Sequence, residues 1–243
     1  MKNPEAPDVF VTHTLRPVRI LTLLALFAGT AGAAETSFED TFAQDDSANY
    51  EIQGGEWAYD AANKAFTMGK FLGTPNETMS ALRNDIELPK AFTLEAEYTA
   101  DGNDSSVGLI IKDPATGHYA FASLTLKKNE GDGWWVIAWI VYSYPEKQWG
   151  YLRQTKKLVA DIGDPVFTLQ LTRPPGSDTL EFIVFNSAIG TLETSLAPGT
   201  TGDEGNELTL AWTDTLNSFT KAGLSGYDSK GSWSRVKLTD LTK

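Results

Sequence analysis

Beyond residue 90 the apolar positions of this chain fall at every second residue in short runs, and each run is bounded by Gly, Asn, Asp or Pro. A period of two puts apolar side chains on one face of a strand, so the pattern predicts strands joined by turns. The expected strands are 92–100, 107–112, 119–127, 134–143, 149–158, 166–173, 179–185, 191–195, 208–213, 222–226 and 233–239. Turns fall at Asp101-Gly102-Asn103-Asp104, Asp113-Pro114-Ala115-Thr116-Gly117, Tyr144-Pro145-Glu146-Lys147 and Pro174-Pro175-Gly176, whose residues supply positive φ or fixed φ. A single helical turn is expected, around Asp214 to Thr220. Many closely spaced strands without strand–helix alternation or a fixed repeat predict an all-β fold, an antiparallel β-sandwich or jelly roll.

One run breaks the alternation of apolar and polar residues. Between Trp134 and Tyr151 the chain places four of its seven Trp and three of its eight Tyr. Along the strand, Trp135, Ile137, Trp139 and Val141 share one face, and Trp134, Val136, Ala138, Ile140 and Tyr142 share the other. Both faces are apolar, so one is expected to meet the core and the other to be covered or offered to a ligand. Trp135 and Trp139 stand roughly 13 Å apart by strand rise, a span suited to two or three sugar units. Trp149, Tyr151 and Arg153 of the return strand would extend that surface, with Arg153 donating hydrogen bonds to hydroxyls or a carboxylate. The alternative is that these rings are mostly inter-sheet core.

The N-terminus has a different texture. Arg16 and Arg19 precede an apolar run from Ile20 to Ala28 and the small residues Gly29 to Ala34, the make-up of a secretory signal peptide cleaved after Ala33 or Ala34. No later segment approaches the roughly 18 to 20 apolar residues of a membrane span. The expected organisation is a signal peptide over 1–33 and one β-sandwich domain over 34–243, secreted or periplasmic. Cysteine is absent, which excludes disulfides and a bacterial lipid anchor on an N-terminal cysteine and leaves stability to the core. The net charge of −12 opposes nucleic acid and anionic membranes as partners, since both need a positive field.

The order of several segments is informative: Phe38-Glu39-Asp40-Thr41-Phe42, then Gly54-Gly55-Glu56-Trp57, Phe92 to Tyr98, Val107 to Lys112 and Gly117-His118-Tyr119-Ala120-Phe121, ending in Ala222 to Tyr227 and Trp233 to Leu238. This resembles the concanavalin A-like lectin/glucanase superfamily, in the group of laminin G-like and 3-keto-disaccharide hydrolase-like jelly rolls of secreted bacterial proteins. The resemblance implies the fold more than an activity. It also implies a poly- or oligosaccharide partner, bound by a monomer, and calcium as a common structural ion of the superfamily.

Candidate catalytic groups are few. His118 is the one His outside the leader, so a His-dependent triad is excluded, and a turn-to-strand position makes it a surface or capping residue. Glycoside hydrolysis would need a carboxylate pair. The laminarinase-type members of the superfamily carry E-x-D-x-x-E on one strand. The nearest run here, Glu95-Ala96-Glu97-Tyr98-Thr99-Ala100, has Glu for the second acid and lacks the third. Glu95 and Glu97 share a strand face about 7 Å apart, and their other reading is the solvent face of that strand. The convincing counterpart of a histidine-bearing 3-keto-disaccharide hydrolase ending is also missing. For a metal, Asp101, Asn103 and Asp104 begin an oxygen-rich loop without the Gly and distal Glu of an EF-hand; Glu39, Asp40 and Asp240 are alternatives if the termini pair. The reading that follows is a carbohydrate-binding domain without catalysis. A glycan-degrading enzyme and a structural or interaction jelly roll are the alternatives.

Overall fold

Polar–apolar alternation along β6, the strand Phe92–Thr99, sorts its residues cleanly: Phe92, Leu94, Ala96 and Tyr98 are buried, and Thr93, Glu95, Glu97 and Thr99 are not. The same rule builds most of the chain. In the computed structural model the described residues are 35–69, 78–100, 105–144, 147–201, 207, 208, 211–227 and 229–242, with side chains described for all of these except 35, 36, 78, 105, 147–149 and 211. The expected signal peptide and the candidate calcium loop Asp101 to Asp104 lie outside them. The strands are β1 (Glu35–Asp40), β2 (Tyr50–Gln53), β3 (Glu56–Asp60), β4 (Ala65–Gly69), β5 (Thr78–Arg83), β6, β7 (Ser105–Lys112), β8 (Tyr119–Lys128), β9 (Trp134–Tyr144), β10 (Lys147–Val159), β11 (Val166–Arg173), β12 (Leu180–Asn186), β13 (Gly190–Leu196), β14 (Lys221–Tyr227) and β15 (Gly231–Asp240); α1 is Ala211–Ser218.

These strands form two antiparallel sheets packed face to face, an all-β jelly-roll sandwich. The larger, of eight strands, runs β13-β12-β11-β6-β15-β4-β3 with β1 also on β15; the smaller, of seven, runs β10-β9-β8-β7-β14-β5-β2. β15 holds β6 along one edge and shares the other between β4, at Gly231–Trp233, and β1, at Val236–Asp240. The N- and C-terminal strands are therefore neighbours. Between the sheets lies one continuous apolar core, in which Leu94, Ala96, Tyr98, Phe167, Leu169 and Trp233 of the larger sheet meet Leu109, Ala122, Leu124, Val136, Ala138 and Ile140 of the smaller. Each large apolar side chain so buried stabilises the fold by about 1.5–3 kcal/mol.

A charged clamp ties the sheets at one end. Asp40 of β1 accepts hydrogen bonds from the Phe42 N–H at 2.8 Å and the Tyr50 hydroxyl at 3.2 Å, and lies 3.5 Å from the Arg83 guanidinium of β5. Arg83 also forms a bidentate pair with Asp85 at 2.7 and 2.6 Å and lies over the rings of Phe38 and Tyr50. Burial raises both the Asp40 carboxyl and the Tyr50 phenol above their ordinary ranges, the cost of placing acids in low dielectric.

Two sequence expectations need correction. The strand expected at 208–213 gives way to α1, because Trp212, Leu216 and Phe219 lie at the i, i+4, i+7 spacing of one helix face and all three are buried. The Arg173 guanidinium donates to the Leu216 carbonyl at 3.2 Å and to Asn217 Oδ1 at 2.9 Å, satisfying the helix's C-terminal end. Strands β1 to β5 are not among the expected strands: β2 and β3 are only four and five residues long, too short to display a period. Among the described residues no helix is long and apolar enough to cross a membrane.

Candidate functional site

The aromatic strand β9 is apolar on both faces because it serves two layers. Val136, Ala138, Ile140 and Tyr142 point into the inter-sheet core. Trp139 and Val141 point the other way and form with Phe121 of β8 a second buried cluster on the outer face of the smaller sheet, flanked by Tyr119, Ile137, Leu152 and Tyr227. Phe121 and Trp139 meet edge to face, centroids 5.0 Å apart, a geometry in which ring edge and ring face attract. The indole N–H of Trp139 donates to Thr125 Oγ1 at 2.7 Å.

Much of this outer face is closed to solvent. Ser123, Gly108, Ser225 and Ser80 form one cross-strand row through β8, β7, β14 and β5, and the three serines are 0–2% exposed. A Cβ at Gly108 would lie 1.9 Å from the Ala122 carbonyl oxygen, and one at Gly223 2.0 Å from that of Ala81, so only residues without a side chain let these strands approach as they do. Lys112 Nζ donates to Gln53 Oε1 across the intervening strands β14 and β5. Trp139, expected on the ligand-facing side, is 6% exposed and is packed with Phe121, Val141 and Ile137 instead of being offered to solvent.

One open part of this face is the corner where β9 begins and β10 ends. Trp135 is half-buried there, directly opposite Lys127 on β8 and Leu158 on β10. Leu158 is 47% exposed, and Lys127, Gln154 and Lys156 are exposed. Lys156 Nζ lies 5.2 Å from the Trp135 ring centroid, within reach of a cation–π attraction. Lys127, Lys156 and Gln154 stand beside Trp135 through the cross-strand register of β8, β9 and β10, which the local sequence pattern does not carry.

The other expected ligand residues do not join this face. Tyr151 pairs with Tyr142 and Arg153 with Ile140, so both point to the inner side of the edge strand; the irregular pairing between Lys147 and Tyr151 sets this register. Tyr151 stacks on Tyr142 at 6.0 Å, and Arg153 is exposed. The side chain of Trp149 lies outside the described residues. Tyr142 anchors a separate aromatic group: its hydroxyl is 2.9 Å from His118 Nδ1, and its ring meets Trp212, Tyr144 and His118. His118 is therefore half-buried against rings and is more than a loose surface residue.

Glu95 and Glu97 lie on the far side of the molecule, on the outer face of the larger sheet. One guanidinium holds them: Arg235 is 2.6 Å from Glu95, 3.7 Å from Glu97 and 2.7 Å from Glu39. The Arg235 hydrogen bond holds the Glu39 carboxyl below its ordinary range. The termini do pair, yet their acids face different partners: Glu39 binds Arg235, Asp40 is in the buried clamp, and Asp240 accepts from Thr242. Among the described residues no three His, Cys, Asp or Glu groups gather as metal ligands.

No protein-family profile matches the chain. No curated protein matches it in sequence. Solved structures do match. The CBM2 module of the evolved Dit of Lactobacillus casei BL23 phage J-1 superposes with a TM-score of 0.52 at 12% identity, covering 86% of this chain and 97% of that one. Peanut lectin gives 0.52 at 10% identity, over 86% and 97% of the two chains. The endo-1,3-beta-glucanase of Streptomyces sioyaensis gives 0.52 at 11% identity, over 90% and 100%. At such identities the likeness is one of fold: the chain has the jelly-roll sandwich fold of these lectin and glucanase structures.

Proposed function

We propose that this chain is a secreted carbohydrate-binding domain without catalysis, and that its site is the Trp135 corner of the smaller sheet. The observation that carries the reading is the half-buried Trp135 on an outer face where Phe121 and Trp139 are covered, with exposed Leu158 beside it and exposed Gln154 on the same face of β10. An indole face offers a stacking surface to the C–H side of a sugar ring, and an amide at its edge bonds hydroxyls. Two structures of the same fold are named as a lectin and a glucanase, which favours a saccharide over other ligands at the level of fold. The absence of catalysis is supported by Arg235, which occupies the space beside Glu95 and Glu97 that a glycosidic oxygen and a water would need.

The test is a glycan array followed by titration of the best ligand. Trp135→Ala should weaken binding by about 1–3 kcal/mol, the scale of a stacked aromatic anchor, with little change in melting temperature because the ring is only half-buried. Unchanged affinity in a stable variant would remove the site from this corner. Reducing ends released by the wild type and lost in Glu95→Gln would instead make the chain an enzyme.

A further inference from the structure

Charge on β8, β9 and β10 has a single sign. Lys127, Lys128, Lys147, Arg153, Lys156 and Lys157 lie on these three strands and no Asp or Glu does, in a chain with 32 acidic against 20 basic residues. Edge strands carry lysines to discourage pairing with other chains, and two of these residues fit that use: Arg153 points to the inner side of the edge, and Lys157 donates to the Ile189 carbonyl at 2.7 Å. Lys127 and Lys156 are different. They stand on the outer face on either side of Trp135, both exposed, and among the described residues neither has a carboxylate within ion-pair distance. By contrast, Arg235 on the opposite face has three carboxylates around it. The acids nearest along the chain, Glu130 and Asp132, lie on the β8–β9 turn, and Asp161 lies past the end of β10; all are exposed.

Resting on the carbohydrate reading above, we propose that the Trp135 corner recognises an acidic glycan, one whose sugar units carry a uronate carboxylate. The indole takes the apolar face of the pyranose, and Lys127 and Lys156 take the carboxylate at the ring's edge. Lys156 Nζ lies over the Trp135 ring, 5.2 Å from its centroid, so a sugar taking that indole face moves the flexible ammonium to the pyranose edge, where a carboxylate attached directly to a ring carbon meets it. The two unneutralised lysines give this corner a local positive field against the acidic remainder of the chain, which steers an anionic polymer to it and rejects it elsewhere.

Three uronate polymers, polygalacturonate, alginate and hyaluronate, are titrated against the full chain, together with fully methyl-esterified polygalacturonate, a neutral glucan, dextran sulfate and duplex DNA. The expected result is binding to at least one uronate polymer that falls as sodium chloride rises from 50 to 500 mM, roughly as exposed ion pairs are screened. The corresponding ester should bind about tenfold or more weakly. The double substitution Lys127→Gln with Lys156→Gln should lower uronate affinity about three- to tenfold, the scale of two exposed ion pairs, flatten its salt dependence and leave the melting temperature unchanged. Equal affinity for acid and ester, or preference for the neutral glucan, would overturn the acidic specificity while leaving carbohydrate binding standing. Equal or tighter binding of dextran sulfate or DNA would overturn it in favour of unselective cation exchange. Binding to none of the glycans would overturn both readings.

Discussion

The two outer faces of the sandwich are built on opposite principles. On the larger sheet, β6 alternates strictly and turns Thr93, Glu95, Glu97 and Thr99 outward, where Arg235 gathers Glu39, Glu95 and Glu97. On the smaller sheet, β9 is buried on both sides and carries a second apolar layer, Phe121, Trp139 and Val141, away from the main core. Antiparallel sheets often leave one face to water, and the larger sheet does so. The smaller sheet keeps its outer face apolar, with Phe121, Trp139 and Val141 buried there and the strands drawn close at Gly108 and Gly223. At the corner where β9 begins, Trp135 is half-buried beside exposed Leu158, and the proposed site lies there.

The comparison breaks most readily at Trp139. If the second layer is structural, Trp139→Ala should cost about 3–5 kcal/mol, the range for removing a buried aromatic, because it loses the edge-to-face contact with Phe121 and the bond to Thr125. Glu97→Ala on the other face should cost less than about 1 kcal/mol, as exposed ion pairs do. Chemical denaturation of both variants checks the difference. Similar midpoints would mean that the apolar outer layer contributes no more than a solvated one.

A smaller effect is expected at Gly108. Adding one methyl forces β7 and β8 apart, since the new Cβ would meet the Ala122 carbonyl oxygen. Gly108→Ala should destabilise by about 1–3 kcal/mol, the usual cost of overpacking, and should raise the exposure of Trp139 as the face opens. Denaturation combined with acrylamide quenching of tryptophan fluorescence reads both. A variant as stable as the parent, with unchanged quenching, would show that the close approach is not what closes the face.

How much of this was legible in the chain follows the same division. Strands such as β6 and β11 were readable because one face is wet and the period of two is clean. The aromatic content of β9 was equally plain, but a strand apolar on both faces gives no sign of which side meets the other sheet or what covers the remainder. Trp139 and Trp135 share a face and differ in exposure through neighbours on β8 and β10, which only the register supplies. The register also separates Tyr151 and Arg153 from them. Glu95 and Glu97 were correctly placed side by side, and their capture by an arginine 140 and 138 residues further along could not be read from local pattern. The helix α1 was expected as a helical turn around Asp214 to Thr220; its start was hidden by Leu208, Leu210 and Trp212, which alternate like a strand before the i, i+4, i+7 set begins.

The smallest effect sharpens the comparison through pH. Glu39 has a folded-state pKa below its ordinary value because Arg235 donates a hydrogen bond to it, partly opposed by desolvation. A depressed carboxyl pKa contributes stability that is present above the unfolded value, about 4.3 for Glu, and is lost as the pH falls through that value toward the folded one. On the smaller sheet burial lowers the pKa of Lys112, so its change lies on the alkaline side and acid leaves it untouched. As the pH falls below about 4.3, amides of the β1–β15 pair should lose the hydrogen-exchange protection that Glu39 contributes, before those of β8 and β9, with protonation of Asp40, raised by burial, acting the other way. Arg235→Gln should remove the Glu39 part of this pH dependence while lowering protection at neutral pH. Simultaneous loss across both sheets would show that the two outer faces, for all their difference in chemistry, open as one unit.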